Sequence, residues 1–261
     1  MRQIPQHPGA FGLIRPAWHS LHPGAPLSSS ELFQTSLMSA LLGGVYEGSI
    51  TYGELHRHGD FGLGTFNDLD GEMVGIDGVF YQLRADGSVH TVSDGQKTPF
   101  AVVTFFRPDQ QLEIASPLSR KDLEARIEET SDANLFTAIK VTGLFEEIET
   151  RTVQQQQRPF PPLTEAVAHQ ATRSSQMASG DLAGFRSPAY AQGIGVAGFH
   201  LHFLSSDRKT GGHALDYILR SGIVQLATLH EFHVELPQSK EFLSAQLTGD
   251  KISSDIKSSE G

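Results

Sequence analysis

The segment Gly198-Phe199-His200-Leu201-His202-Phe203, with His213 eleven residues after the second histidine, constrains this chain more than any other stretch. Histidines at i and i+2 share one face of a β-strand, because strand side chains alternate with period two. Phe199, Leu201 and Phe203 then face the other way, into a core. The polar stretch Asp207-Arg208-Lys209-Thr210-Gly211-Gly212 ends on glycines and can bring the chain back beside the strand with His213. Three imidazoles on a divalent metal leave a coordination position open, the property that separates catalytic zinc sites from closed structural ones. His200, His202 and His213 are therefore candidate ligands of a metalloenzyme. A strand whose histidines meet solvent or satisfied core partners would carry the same residues.

Composition narrows the chemistry. The 261 residues include no cysteine, which excludes disulfides, iron–sulfur clusters, thiolate zinc sites and cysteine nucleophiles. Any transition metal must be held by histidine and carboxylate. A net charge of −10, from 20 basic and 30 acidic residues without a basic run, argues against nucleic acid or an anionic membrane as partner. An anionic small substrate stays compatible, since one arginine and a metal reverse the potential of a cleft. Hydrophobic residues at 38% and charged residues at 19% are ordinary for a globular chain. No stretch reaches the length of a membrane helix. Residues 1–30 hold Pro5, Pro8, Pro16, Pro23 and Pro26 among His7, His19 and His22. With no apolar core region or cleavage site they do not read as a signal peptide. A loosely ordered extension and a cytoplasmic protein are expected.

The remaining chain reads as strand-rich. Ser28-Ser29-Ser30-Glu31 has capping-box spacing and predicts a helix carrying Leu32, Phe33, Leu37, Met38, Leu41 and Leu42 up to Gly43-Gly44. A β-meander follows, punctuated by Asp77-Gly78 and Asp86-Gly87, which are hairpin signals between alternating apolar runs. Ala101–Phe106 predicts a further strand, and Ser119 caps a helix through Leu123, Ala125 and Ile127. Leu135–Val141 and Leu144–Val153 predict a strand pair turning at Gly143. The stretch 154–162, four glutamines and then a proline-rich run, breaks every periodicity and predicts a linker or covering loop. Beyond it come a helix near Thr164–Arg173, the histidine strand, and strands near Ala214–Leu219, Ile223–Leu229 and Glu231–Leu236. Short helices near Lys240–Leu247 and Asp250–Ser259 follow. The expected organisation is an N-terminal domain over 31–153, a linker over 154–162 and a C-terminal metal-binding domain over 163–261. The fold class is α/β or α+β with two sheets.

Three other residues are candidates for chemistry. Glu72 ends a run with glycines at 62, 64 and 71, which let backbone approach closely and suit a site wall; a hairpin with solvated acids has the same composition. Arg151 closes a predicted strand, where its fork could grip a substrate carboxylate or make a surface ion pair. Glu260 would ordinarily be tail. His-x-His on a strand also suits a cupin, but that motif expects a glutamate three or four residues after the second histidine, where this chain has Ser206 and Asp207. A cupin-like metal-dependent oxygenase and a non-catalytic metal- or ligand-binding protein are the alternative readings. No Walker A, Gly-x-Ser-x-Gly or Gly-x-Gly-x-x-Gly motif is present.

Taken together, several blocks resemble the alpha-acetolactate decarboxylase family. They are Phe33 to Leu42, Gly44-Val45-Tyr46-Glu47-Gly48, His58 to Phe66, Leu69-Asp70-Gly71-Glu72, and Thr98-Pro99-Phe100-Ala101. Thr150-Arg151-Thr152-Val153, Val196 to Phe203, Asp207-Arg208-Lys209 and Gly211-Gly212-His213 complete the set. The resemblance covers the chain from residue 33 onward. It implies a carboxy-lyase converting (S)-2-acetolactate to (R)-acetoin and CO2, in acetoin and 2,3-butanediol biosynthesis. It implies Zn2+ on His200, His202 and His213, with Glu72, Arg151 and Glu260 catalytic and Thr65 and Arg151 binding substrate. It further implies two α/β domains, each on a mixed β-sheet with peripheral helices, a metal site in the cleft between them, and a homodimer.

Overall fold

Strand propensity and period-two alternation decide most of the architecture. The computed structural model describes residues 30–260, so the expected extension, apart from Ser30, lies outside the described residues. The chain begins β1 (Glu31–Thr35), α1 (Met38–Leu42), α2 (Tyr52–Leu55), β2 (Phe61–Thr65), β3 (Glu72–Ile76), β4 (Val79–Leu83), β5 (Val89–Thr91) and β6 (Ala101–Thr104). It continues β7 (Gln110–Ile114), β8 (Leu118–Ser119), α3 (Arg120–Glu128), β9 (Phe136–Thr152), α4 (Leu163–Ala166) and β10 (Ala171–Ser187). It finishes β11 (Gly198–Ser205), β12 (Gly211–Leu229), β13 (Glu231–Glu235), α5 (Lys240–Ser244) and α6 (Ile252–Glu260). None of these helices is long and apolar enough to cross a membrane.

Two sheets result. The seven-stranded sheet runs β13-β1-β6-β2-β3-β4-β5 and is mixed, with β1 parallel to β13 and its other pairs antiparallel. The six-stranded sheet runs β11-β10-β9-β12-β7, with β8 also on β12 and every pairing antiparallel. A further β11–β12 pairing links one end of this path back to its fourth strand, so that β9, β10, β11 and β12 close into a ring.

Alternation assigns each strand's two faces to different cores. Leu63, Val74 and Val102 of the first sheet pack in one cluster with Ala138, Ala183, Phe185 and Leu204 of the second. Their neighbours Met73, Ala101 and Val103 turn outward to join Tyr52 and Leu55 of α2. In the second sheet Ile139, Leu182, Leu201 and Phe203 pack inside the ring with Leu123 and Ile127 of α3. The order of layers is thus α2, seven-stranded sheet, shared core, six-stranded sheet, α3. The two hairpins at the Asp-Gly turns form as expected, and Ser119 Oγ accepts from Asp122 N at 3.2 Å to cap α3.

Several sequence expectations change. Glu31–Thr35 is a strand, not the start of a helix, because β13 and β6 pair with it on either side; the helix shrinks to Met38–Leu42. Gly143 makes no turn. It lies in the middle of the 17-residue strand β9, where a Cβ would lie 2.5 Å from Ser221 O, so glycine permits close strand packing there. The helix near Thr164–Arg173 is one turn of α4 and a short 3-10 turn, after which β10 takes over. Ala214–Leu219 and Ile223–Leu229 merge into β12. Residues 154–162 cover the shared core: Tyr46 Oη donates to Pro161 O at 2.8 Å, and the Tyr46 and Phe160 rings lie 5.2 Å apart. Both sheets draw strands from either side of this loop, since β13 completes the first sheet while β7, β8 and β9 belong to the second. The boundaries expected at 153 and 163 therefore do not coincide with the sheets.

Candidate active site

The ring closure places the histidines. His202 on β11 and His213 on β12 are register partners, and His213 is also the partner of Arg151 on β9. Arg151, His213 and His202 thus occupy one row across three strands, with His200 two residues from His202 on the same face. Gly212 makes this row close: a Cβ there would lie 2.5 Å from Arg151 O. The imidazole centroids are 5.2, 5.0 and 5.4 Å apart, and one ligating nitrogen from each ring lies within 4.8 Å of the others.

Hydrogen bonds fix how these rings present themselves. His202 Nδ1 donates to Met73 O on β3 at 2.7 Å, leaving the lone pair on Nε2. That Nε2 is buried and has no hydrogen-bond partner. His213 Nε2 donates to Glu260 O at 3.1 Å, which leaves its lone pair on Nδ1. Burial holds His202 down to about 4 and His200 and His213 well below the ordinary histidine range, so all three rings are neutral at pH 7. Three neutral imidazoles, one with an orphaned buried nitrogen and two oriented by backbone carbonyls, match what a divalent metal requires of its ligands and their supports. The residues present fit such an ion.

The opposite wall comes from the seven-stranded sheet. Thr65 on β2 and Glu72 on β3 are register partners. Glu72 Oε2 lies 3.8 Å from His202 Nε2. Burial pushes the Glu72 carboxyl up to about 7, against the lowering effect of Arg151 and with the help of Glu260. The Thr65 hydroxyl lines the same cavity and donates to Gly71 O at 2.8 Å. From the C-terminal side, α6 brings in Glu260, whose Oε2 lies 3.3 Å from Arg151 Nη2, 3.4 Å from His200 Nε2 and 3.6 Å from His213 Nδ1. Burial raises this carboxyl too, opposed by Arg151.

The structure therefore brings together every residue singled out above: His200, His202, His213, Glu72, Thr65, Arg151 and Glu260. Five of them, Thr65, Glu72, His200, His202 and Glu260, line a cavity of about 30 Å³ with Met38, Leu41 and Phe100 as its apolar lining. Four contributors escaped the sequence reading. Met38 and Leu41 read only as a helical stripe, the Met73 carbonyl has no side-chain signature, and a lone Gln170 carries no motif. Gln170 Oε1 accepts from Arg151 Nη1 at 2.8 Å.

Comparison with known proteins gives the same direction. The family model described as Alpha-acetolactate decarboxylase matches residues 32–249, ending just before α6. The alpha-acetolactate decarboxylase of Bacillus subtilis strain 168 is 42% identical over 89% of this chain and 91% of its own length. That of Raoultella terrigena is 45% identical over 88% and 90%. The crystal structure of the Bacillus subtilis protein superposes with a TM-score of 0.88, covering 89% of this chain and all of the other. The chain belongs to the alpha-acetolactate decarboxylase family.

Proposed function

We propose that this chain is a carboxy-lyase that releases CO2 from (S)-2-acetolactate and forms (R)-acetoin, with His200, His202 and His213 holding Zn2+. The observation carrying this reading is the clustering of three neutral imidazoles, one arginine and two buried glutamates beside a small cavity in a chain of this family. A divalent ion held there by His200, His202 and His213 would supply Lewis acidity to stabilise developing negative charge.

The remaining chemistry belongs to the chain. Losing CO2 leaves an electron pair on the adjacent carbon, delocalised onto the ketone oxygen, and this charge is the main cost of the reaction. Arg151 grips the departing carboxylate and turns the breaking bond parallel to the carbonyl π system. Met38, Leu41 and Phe100 keep water from that carboxylate until it has left. Glu72 delivers a proton to that carbon from the β3 wall. Delivery from one wall yields one configuration of acetoin. Glu260 faces the same space beside Arg151.

The test is release of CO2 and acetoin from racemic acetolactate by the full chain, before and after chelation. Turnover with half of the racemate consumed, loss on chelation and recovery with Zn2+ are expected. No CO2 from metal-loaded protein would overturn the reading, and oxygen consumption would favour an oxygenase.

A further inference from the structure

Arg151 is only 4% exposed and carries a permanent charge on a planar fork, so its orientation is set by what touches it. Nη1 donates to Gln170 Oε1 at 2.8 Å and Nη2 to Glu260 Oε2 at 3.3 Å, while the buried Nε has no partner. Gln170 follows the 3-10 turn Val167–His169, its N–H donates to Val167 O, and the next residues pair with β9 at Ala171–Thr152 and Thr172–Arg151. Its side chain therefore springs from backbone fastened to the same ladder that carries Arg151.

The choice of an amide matters. A glutamate in this place would reach the same nitrogen and cancel the guanidinium charge. An amide oxygen satisfies Nη1 and leaves the charge intact. With Nη1 taken, the edge that remains is Nε and Nη2, whose parallel N–H groups match the two oxygens of one carboxylate. Glu260, which lines the cavity, already touches that edge through Nη2, so the edge meets the cavity wall at Glu260.

We propose that Gln170 is a positioning residue: by holding Nη1 as a neutral acceptor, it aims the Nε/Nη2 edge of Arg151 at the carboxylate of a 2-hydroxy-3-oxo acid. The inference rests on Arg151 being the group that binds the substrate's carboxylate.

The test uses the metal-loaded full chain and two inhibitors of turnover. One is 2-hydroxy-2-methylpropanoate, a carboxylate that lacks the ketone. The other is butane-2,3-diol, which lacks the carboxylate. In Gln170→Glu, KM and the inhibition constant of the acid should rise about tenfold or more, the size of a lost charge-assisted hydrogen bond. The diol's constant, the metal content and the thermal midpoint should stay where they are. Gln170→Ala, which frees the fork without neutralising it, should move the acid's constant the same way by about threefold to tenfold. If both inhibitors weaken together, or if neither variant moves the acid's constant, the proposal falls. Arg151→Gln separates the two levels: an acid constant unchanged there removes Arg151 as the carboxylate's partner, whereas a large rise there with none at Gln170 overturns only the positioning role.

Discussion

Glu72 and Glu260 face different members of one histidine cluster, His202 for the first and His200 and His213 for the second, from regions held in opposite ways. Glu72 sits inside a sheet, with Thr65 and Leu83 as its register partners on either side, so backbone ladders fix its position. Glu260 ends a nine-residue helix in which only Ile256 and Ser259 are buried, and which lies beyond the residues the family model matches. Burial raises both carboxyls. A charged site can thus be assembled from one wall that moves only with the fold and another that packs on by a few apolar contacts. The first makes its residue part of global stability; the second makes its residue removable.

The largest effect should come from His202→Ala, which removes one of the three candidate ligands and the ring beside Glu72. Metal and turnover should both disappear, and unchanged metal content by elemental analysis would defeat the ligand assignment. Glu72→Gln should keep metal and circular dichroism but lower kcat about a thousandfold, within the usual range for a lost proton donor; full activity would remove Glu72 from the chemistry.

Metal-free protein sharpens the comparison through stability. Glu72 rises from an ordinary 4.5 to about 7 on folding, so the native state holds a proton that the unfolded chain has released. Its stability is greatest below pH 4.5 and is lost as pH rises through 7. Metal-free Glu72→Gln should therefore exceed metal-free wild type by up to about 3 kcal/mol at pH 8 in urea unfolding, with the gap closing by pH 4. A gap that widens on acidification would reverse the assignment.

Deleting Glu260 and Gly261 should lower kcat by about ten- to a hundredfold, or about 1.4–2.7 kcal/mol, while the thermal midpoint stays put. An unaffected rate would make the tail a bystander. Ile256→Val should have the smallest effect, about 1 kcal/mol of docking for α6. Hydrogen exchange should quicken in α6 and not in β3; equal quickening in both would mean the helix is as integral as the sheet.

The site was more legible than the sheets that carry it. His200-x-His202 could be read because alternation is a local rule, and Phe199, Leu201 and Phe203 indeed point away from the histidines. Glu72 and Arg151 could be listed from their surroundings, but their roles and that of Glu260 came only through the family resemblance, since nothing in an isolated acid or arginine says what it will face. Leu32 and Phe33 fit both a helical stripe and an alternating strand; β13, far along the chain, decides between them. Gly143 and Gly222 lie opposite one another in β9 and β12, where backbone spacing requires them, and a glycine read alone looks like a turn. Gln170 shows the same limit in the site itself, because its role exists only relative to Arg151.

The parallel pairing of β1 with β13 has a consequence for how the chain is made. Glu31 is matched with Glu231, so 200 positions of synthesis separate the two strands. At about 5–20 residues per second, β1 waits roughly 10–40 s for its neighbour. Throughout that interval one side of β1 is a bare edge of unpaired N–H and C=O groups beside two large apolar side chains, Leu32 and Phe33. Such an edge is a ready template for strands of other chains. The nascent protein should therefore be most prone to misassociate during translation, and arrest of synthesis between β12 and β13 should be the point at which chaperone dependence peaks.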